Sequence, residues 1–248
     1  MFDTHAHYHD HAYDADREEI LELIRKSGVG HFVEVGVSTE TSLEALHLAE
    51  THENVYAAVG YHPDAAEEVD PEQLKKMLCR PKAVAIGEIG LDYHYETPPR
   101  ETQQKAFRLQ MEVAAKTGYP VIIHDREAHG DTLQIINEFP TVYGILHSYS
   151  GSAEMAKELL KKGWYISFSG VVTFKNARQS LEVASIVPED HILVETDAPY
   201  LTPVPYRGTR NHSGQMRYTL EKLAEIRGVS FEHMEQITEE NAKRVFRL

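Results

Sequence analysis

The sequence predicts an α/β protein that folds as a single (β/α)8 barrel over residues 1–248. Short apolar runs alternate with longer amphipathic stretches along the whole chain, which is typical of parallel strands joined by helices. The apolar runs number eight, and 248 residues are enough to close them into one barrel. A doubly wound open sheet is the alternative, but "HAHYHD" after the first run lacks the glycine-rich turn of that fold.

Each predicted strand is a short run in which apolar residues dominate and which polar or turn residues follow. In chain order these runs are 1–4, 31–37, 55–59, 83–87, 120–124, 144–147, 164–168 and 192–195. Each predicted helix repeats its apolar residues at a spacing of three or four. In chain order the clearest of these are 17–27, 39–52, 100–117, 153–162, 176–186, 216–227 and 231–246.

The last predicted helix, 231–246, is expected to close against the barrel rather than to form a separate unit. Its candidate inward side chains are Ile237, Ala242, Val245 and Phe246. We therefore expect one domain.

Composition limits the classes of function. The chain carries 25 Lys and Arg against 39 Asp and Glu, a formal net charge of −14, which argues against wrapping long stretches of nucleic acid. The single cysteine, Cys79, excludes a disulfide framework and fits a reducing compartment. No apolar stretch reaches the ~18 residues of a membrane span, and the start lacks the pattern of a secretory signal. We expect a soluble, cytoplasmic protein without a membrane partner, either a monomer or a weak oligomer.

The opening "MFDTHAHYH" places His5 and His7 two residues apart. Side chains at positions i and i+2 of a strand point to the same side, so these two imidazoles can share one cation. Imidazole is a common ligand of zinc and its neighbours.

The ends of the predicted strands carry further polar side chains. In a (β/α)8 barrel the C-terminal strand ends and the loops after them form the active face. The residues at these positions are Asp3, His5, His7, His62, Glu88, Asp92, His124, His147, Glu195 and Asp197.

Six of these residues form the predicted ligand set. They are His5, His7, Glu88, His124, His147 and Asp197. Any one of them alone could be a hydrogen-bonded histidine or a carboxylate that caps the next segment. Together they would crowd acidic and basic groups without partners unless cations lay between them. A metal site accounts for all six.

Five motifs give the chain a family resemblance. "DTHAH", "GEIGLDY", "VIIHDRE", "HSYSG" and "ETDAPYL" resemble, in order and spacing, those of TatD-related metal-dependent hydrolases, over essentially the entire chain. The resemblance implies a TIM barrel of the metallo-dependent hydrolase type and divalent-metal-dependent deoxyribonuclease activity.

On that resemblance, His5, His7, Glu88 and Asp197 would hold one metal, and Glu88, His124 and His147 the second. Glu88 would bridge the two, because the two oxygens of a carboxylate can bind two cations. The expected cofactors are two divalent ions, Zn, Mg, Mn or Ni, with room for a third, weaker site.

Two stretches depart from the family pattern. "HSYSG" stands where Cys and Phe commonly follow the histidine, and His212, Ser213 and Gly214 replace a Glu-Pro continuation after "YRGTRN". The second departure lies in the loop expected to face the substrate.

The expected reaction is hydrolysis of DNA phosphodiester bonds by a metal-activated water, on a single-stranded or end-bound substrate. Asp197 and Glu88 are the predicted catalytic residues, with Asp197 accepting the proton of the nucleophile. His62 and Arg207 are the predicted substrate contacts, and Arg207 could hold a phosphate with two parallel hydrogen bonds.

Two alternatives remain open. An amidohydrolase that acts on a small amide, ester or lactone would use the same metals and fold, and a metal-binding protein without turnover would need the ligands but no base. Arg207 and the neighbouring Arg210 favour a phosphate substrate, whereas the acidic net charge favours a small one.

Overall fold

The computed structural model of the protein describes residues 1–95 and 97–248. Its strands are β1 (Phe2–Ala6), β2 (His31–Val35), β3 (Val55–Val59), β4 (Ala83–Asp92), β5 (Val121–Arg126), β6 (Gly144–Leu146), β7 (Tyr165–Phe168) and β8 (Ile192–Val194). The α-helices in the described residues are α1 (Arg17–Lys26), α2 (Thr39–Thr51), α3 (Pro71–Leu78), α4 (Arg100–Thr117), α5 (His129–Glu138), α6 (Ala153–Lys161), α7 (Arg178–Ile186), α8 (Met216–Arg227) and α9 (Phe231–Phe246).

The strands lie in chain order, β1 to β8, in one eight-stranded sheet. Neighbouring strands pair in parallel, for example Val121 of β5 with Gly144 of β6. The chain after β8 pairs with β1, because the N–H of Asp197 donates to the carbonyl of His5 at 2.9 Å and the N–H of His7 donates to that of Ala198 at 2.8 Å. This order, with its last strand leading back to its first, confirms the predicted (β/α)8 barrel and excludes the doubly wound alternative.

The described chain divides into two compact units. The first, unit 1, combines residues 1–33 with residues 147–248, and the second, unit 2, is the continuous stretch 34–146. In unit 1, the largest buried side chains include Trp164, Phe2 and Phe168. In unit 2, Ile86 and Ile123 are fully buried on β4 and β5. Burial of the strands along their whole length, as in β4, is typical of a parallel sheet covered by helices.

Strand β4 is longer than predicted. It runs to Asp92, so Glu88 lies inside the strand rather than after its end. The register with β5 shifts between Ile86 and Ile89, the stretch that contains Glu88. Gly90 allows the close approach there, because a Cβ on it would lie 2.0 Å from the carbonyl oxygen of His124.

The observed helices agree with the predicted ones to within about two residues at each end. Two further helices, α3 and α5, follow β3 and β5, where the sequence predicted no helix. Asp70 precedes α3 and caps its N-terminus, because its carboxylate accepts the N–H groups of Glu72 and Gln73. No helix in the described ranges 1–95 and 97–248 has the length and apolar character needed to cross a bilayer.

Helix α9 packs against the start of the chain. The Phe246 ring stacks on Phe2 of β1 at a centroid distance of 6.0 Å, and Ala242 and Val245 are buried as predicted. Ile237 is only partly buried, and Met234 takes the inward position instead. The helix is therefore part of unit 1.

We expect the two units to unfold as one domain, which two single-site reporters can test. Trp164, the sole tryptophan, lies in unit 1, and the exposed Cys79, the sole cysteine, lies in unit 2 and can carry a dye. Phe246→Ala should lower the free energy of unfolding by about 3 kcal/mol, because it removes a buried ring. Both reporters should show that same shift in urea unfolding.

The exposed Leu248 offers the matched control, and Leu248→Ala should change stability by less than about 0.5 kcal/mol. Two separate midpoints in the parent protein, or a shift of the Trp164 signal alone, would show that the units are independent domains.

Candidate functional site

Unit 1 brings three predicted ligands together, one of them in β1 and two just after strand ends. The Nε2 atoms of His5 and His7 lie 3.0 Å apart. Asp197 Oδ1 lies 3.7 Å from His5 Nε2 and 3.4 Å from His7 Nε2. His5 and His7 are buried, so their converging nitrogens and the carboxylate oxygen face one small, shielded space. We call these three residues the first ligand group.

The backbone around Asp197 holds the carboxylate in this position. Asp197 has φ +56°, and its carbonyl accepts the N–H of Tyr200 at 2.8 Å. Burial alone would raise the pKa of Asp197, but the hydrogen bond with His7 and the positive charges of His147 and His5 outweigh it, so the pKa is lowered. The carboxylate is therefore kept in its charged, ligating form.

His147 also lies in unit 1, against His5. The two rings stack with centroids 4.2 Å apart and planes 21° from parallel. His147 Nδ1 lies 3.2 Å from Glu195 Oε1, the oxygen that also accepts the N–H of Ser148 at 2.7 Å. One atom from each of His5, His147 and Glu195 lies within 4.8 Å of the others. His147 is thus oriented by a carboxylate to which the sequence analysis assigned no role.

The buried carboxylate of Asp3 fixes the backbone next to the first ligand group through four hydrogen bonds. Its Oδ1 accepts the N–H of His5 at 3.2 Å and that of Thr196 at 3.0 Å. Its Oδ2 accepts the hydroxyls of Thr196 at 2.5 Å and of Ser213 at 2.6 Å. Burial raises the pKa of Asp3 to about 7, although all four hydrogen bonds oppose that rise. Ser213 belongs to the loop that departs from the family pattern, and here it anchors that loop.

Unit 2 brings together three further predicted site residues, His62, Glu88 and His124. His124 Nδ1 lies 2.8 Å from Glu88 Oε1, and the rings of His62 and His124 meet edge to face with centroids 4.5 Å apart. One ligand atom from each of His62, Glu88 and His124 lies within 4.8 Å of the others. We call these residues the second ligand group. His62, expected only to contact substrate, therefore sits where it could also bind metal.

Asp92 orients His124 as Glu195 orients His147. Asp92 Oδ2 lies 3.2 Å from His124 Nε2, the ring nitrogen that does not face Glu88. Burial would raise the pKa of Asp92, but hydrogen bonds from His124 and the N–H of His94 outweigh it and lower the pKa. Metal-binding histidines commonly have a carboxylate on the second ring nitrogen, which sets the tautomer. The motifs "GLDY" and "ETD" contained both carboxylates, and that rule could have assigned them this role.

Two buried glutamines of α4 position the second ligand group, and the sequence analysis missed both. Gln110 accepts the N–H of Tyr61 at 2.8 Å and donates to its carbonyl at 2.9 Å. Gln103 does the same for Asp92, at 2.9 Å for each bond. Each glutamine side chain thus satisfies both the backbone N–H and the carbonyl of one residue, just after the end of β3 or at the end of β4, as a neighbouring strand would. A polar residue on the buried face of an amphipathic helix was the signal available in the sequence.

Arg207, the predicted phosphate contact, belongs to neither ligand group. Its guanidinium lies over the Phe174 ring, with Cζ 4.3 Å from the centroid. Arg210 donates to both carboxylate oxygens of Asp16, at 2.8 Å from Nη1 to Oδ1. Only one of the two arginines that favoured a phosphate substrate therefore remains without a carboxylate partner.

The donor atoms present suit a hard or borderline divalent cation. Both groups combine imidazole nitrogens with carboxylate oxygens and contain no thiolate, a set that fits Zn, Mn or Ni and that also accommodates Mg. Glu195 Oε2 is buried and has no hydrogen-bond partner among the described residues. A buried carboxylate oxygen without a donor is costly unless a cation satisfies it. The residues therefore fit bound metal.

A (β/α)8 barrel with histidine and carboxylate groups at its C-terminal strand ends defines a metal-dependent hydrolase. The family model described as TatD related DNase matches residues 2–247. The chain belongs to this family.

Individual relatives support this family assignment. The chain is 43% identical over 253 residues to the uncharacterized metal-dependent hydrolase YabD of Bacillus subtilis, covering 100% of this chain and 99% of the relative. It is 32% identical over 263 residues to the 3'-5' ssDNA/RNA exonuclease TatD of Pectobacterium carotovorum, covering 100% of both. The crystal structure of the TatD homolog YJJV of Escherichia coli superposes with a TM-score of 0.94 at 29% identity, covering 100% of this chain and 98% of that one.

We expect each ligand group to account for one bound ion. The parent should bind two zinc ions per chain, counted by elemental analysis after dialysis. His5→Ala and His124→Ala should each lose one ion, because each removes a nitrogen from a different group. Glu88→Gln should lose at least one, because a neutral amide is a weaker ligand than a carboxylate.

His233 is the matched control, because its imidazole also lies 3.2 Å from a carboxylate, that of Glu189, but is exposed. His233→Ala should keep both ions. A parent protein that binds one ion at saturating metal would contradict the two-ion prediction.

Proposed function

We propose that the protein is a divalent-metal-dependent nuclease that hydrolyses phosphodiester bonds of single-stranded DNA, or of DNA held at an end. The observation that carries the proposal is the first ligand group, in which a charged carboxylate lies beside two converging imidazoles. Membership of the TatD-related DNase family and a relative named as an ssDNA/RNA exonuclease support the substrate class.

The metals would be held by the predicted ligands, His5, His7 and Asp197 in unit 1 and Glu88 and His124 in unit 2. The assignment of His147 to the second ion, the sharing of Glu88 between the ions and a third, weaker site follow from the family resemblance and stay predictions. Bound divalent ions would supply Lewis-acid polarisation of the phosphate and would lower the pKa of a water molecule.

Asp197 would accept the proton of the attacking water. A general base must be charged and within reach of the nucleophile, and the hydrogen bond with His7 together with nearby imidazoles keeps this carboxylate ionised despite its burial. The backbone bonds of Asp197 to His5 and Tyr200 restrict its position. The carboxylate thus needs little reorganisation during the reaction.

His62 and Arg207 would contact the substrate. His62 Nδ1 accepts the N–H of Asp64 at 3.2 Å, so its Nε2 carries the proton and can donate to a phosphate oxygen. Arg207 is exposed and carries its charge outside both ligand groups. It suits a phosphate adjacent to the scissile one.

A small amide, ester or lactone is the second candidate substrate class. The net charge of −14 and the pairing of Arg210 with Asp16 favour it, because both reduce attraction for a polyanion. A hydrolysis screen with both metals present separates the two classes. Turnover of short single-stranded DNA and of bis-p-nitrophenyl phosphate supports the nuclease, and turnover of esters or lactones alone supports the second candidate.

Cytoplasmic location and a monomeric or weakly oligomeric state remain proposals that rest on composition. The sole cysteine, Cys79, is exposed and unpaired, as is usual in a reducing compartment.

We expect Asp197→Asn to lower kcat on single-stranded DNA by at least about a hundredfold, with KM changed less than about threefold. The amide keeps the size of the side chain but cannot accept the proton. Metal content must be measured on the same sample, because loss of an ion would lower kcat as well.

The matched control is Asp190→Asn, which alters an exposed aspartate 2.9 Å from His191 and should leave kcat unchanged. A rise in KM with unchanged kcat would assign Asp197 to substrate binding instead.

The salt dependence of binding should be shallow. Because the protein is acidic, we expect it to hold only a few phosphates, and each one neutralised on a single strand adds roughly −0.7 to the slope of log K against log salt. The slope for a 12-nucleotide strand should stay below about 3 in magnitude, and Arg207→Ala should reduce it by about 0.7. A steeper slope in the parent would reveal an extended basic surface and overturn the local-contact interpretation.

A further inference from the structure

One exposed surface of unit 1 combines aromatic rings with cations that lack acidic partners. It consists of Phe174, Lys175 and Arg178, which follow β7, and Tyr206 and Arg207, which follow β8. We call it the ring surface. None of its three cations has an ion pair with a carboxylate of the described residues.

Several other arginines of the chain are paired with carboxylates, for example Arg25 with Glu22, Arg108 with Glu138 and Arg217 with Glu221. In a chain with 39 acidic residues and 25 basic ones, three neighbouring cations without partners make a local basic surface. It complements a polyanion, whereas the overall charge does not.

The rings are held in place by backbone contacts. The N–H of Val204 donates to the hydroxyl of Thr173 at 2.9 Å, which ties the loop after β8 to the turn that carries Phe174. The N–H of Tyr206 donates to the carbonyl of Pro203 at 2.8 Å. Gly170 allows close packing there, because a Cβ on it would lie 2.1 Å from the carbonyl oxygen of Leu201. The loop is therefore an ordered platform.

The platform presents flat groups to solvent. The guanidinium of Arg207 lies 4.3 Å from the centroid of Phe174, and Tyr206 is 44% exposed. The ring of Tyr218 supports that of Tyr206 edge to face at 5.4 Å. Both the guanidinium plane and the tyrosine ring are surfaces on which a nucleobase can stack.

The ring surface lies at the same end of the strands as the first ligand group. β7 and β8 are paired neighbours, and the ring surface follows the C-terminal ends of both. Tyr206 comes nine residues after Asp197 in the sequence. A strand with one phosphate at Asp197 could therefore extend over this surface.

We propose that the ring surface is a base-stacking site for unpaired nucleotides. Tyr206 and Arg207 stack on the bases, Phe174 supports the guanidinium of Arg207 from its other face, and the charges of Arg207, Lys175 and Arg178 attract the neighbouring backbone phosphates. In a duplex the faces of the bases are already stacked on one another, so the site selects single strands. This inference rests on the proposed nuclease function and adds how that nuclease would recognise its substrate.

Binding without turnover tests the site. The parent and its variants, freed of metal with EDTA, are titrated against three fluorescent 12-nucleotide probes, and anisotropy is recorded. The probes are a mixed-sequence single strand, an abasic strand with the same number of phosphates, and a duplex. The parent should bind the mixed strand more tightly than the other two.

Tyr206→Ala should weaken binding of the mixed strand by about five- to a hundredfold, the effect of losing one stacked base. Phe174→Ala should weaken it in the same direction, because it removes the support of the Arg207 guanidinium. Binding of the abasic strand should change less than about twofold. Arg207→Lys keeps the charge but loses the planar group, so it should also weaken binding of the mixed strand selectively. The Arg207→Lys substitution tests stacking while every aromatic ring of the loop is kept.

Tyr56 provides the matched control, because Lys82 Nζ lies over its ring at 4.7 Å, and it sits near the start of β3, away from the C-terminal strand ends. Tyr56→Ala should leave binding of all three probes unchanged. Thermal unfolding of each variant shows whether the fold is retained.

Equal losses on the mixed and abasic strands would overturn base stacking and leave only phosphate contacts. Unchanged binding in the Arg207→Lys and Tyr206→Ala variants would show that the rings merely stabilise the loop. Failure of the nuclease proposal has a different signature, namely selective binding of the mixed strand by the parent without hydrolysis of any phosphodiester once metals are restored.

Discussion

The buried carboxylate of Asp3 is the interaction on which the first ligand group depends. It receives hydrogen bonds from the strand that carries His5, from Thr196 beside Asp197, and from Ser213 in the loop beyond. One side chain thus connects the start of the chain to the segment after the last strand. Because an unsatisfied buried carboxylate would be costly, each of these donors is constrained, and the ligands next to them are constrained as well.

Buried carboxylates also fix the histidines of the site. His124 lies between Glu88 and Asp92, and His147 has Glu195 at its Nδ1. A carboxylate on one nitrogen fixes the plane and tautomer of an imidazole, so that the other nitrogen can be aimed before an ion binds. The buried glutamines of α4 fix the backbone of Tyr61 and Asp92 in a similar way, through hydrogen bonds. Much of the precision of the ligand groups therefore comes from residues outside them.

An acidic protein that acts on a polyanion must restrict its attraction to a small area. Several exposed arginines of this chain are neutralised by neighbouring carboxylates, and Arg210 is among them. The cations of the ring surface have no such partner among the described residues. Long-range attraction is weak in such an arrangement, so under the proposed function recognition would depend on contacts near the site of cleavage. Stacking on rings suits this situation because its strength does not depend on net charge.

The sequence by itself determined the fold class and singled out His5, His7, Glu88, His124 and Asp197 as candidate ligands, whereas it predicted His62 only as a substrate contact. Hydrophobic periodicity is local, and the strand ends of a barrel must share one face, so histidines at those ends could be collected without coordinates. Only the tertiary structure decided that β4 continues past Glu88, that Asp3 joins β1 to Ser213, that Asp92 and Glu195 orient histidines, and that Arg210 is paired with Asp16 while Arg207 lies on Phe174. The physical reason is that each of these depends on partners distant in sequence. Hydrogen bonds between residues 210 positions apart, such as Asp3 and Ser213, leave no periodic pattern in the chain.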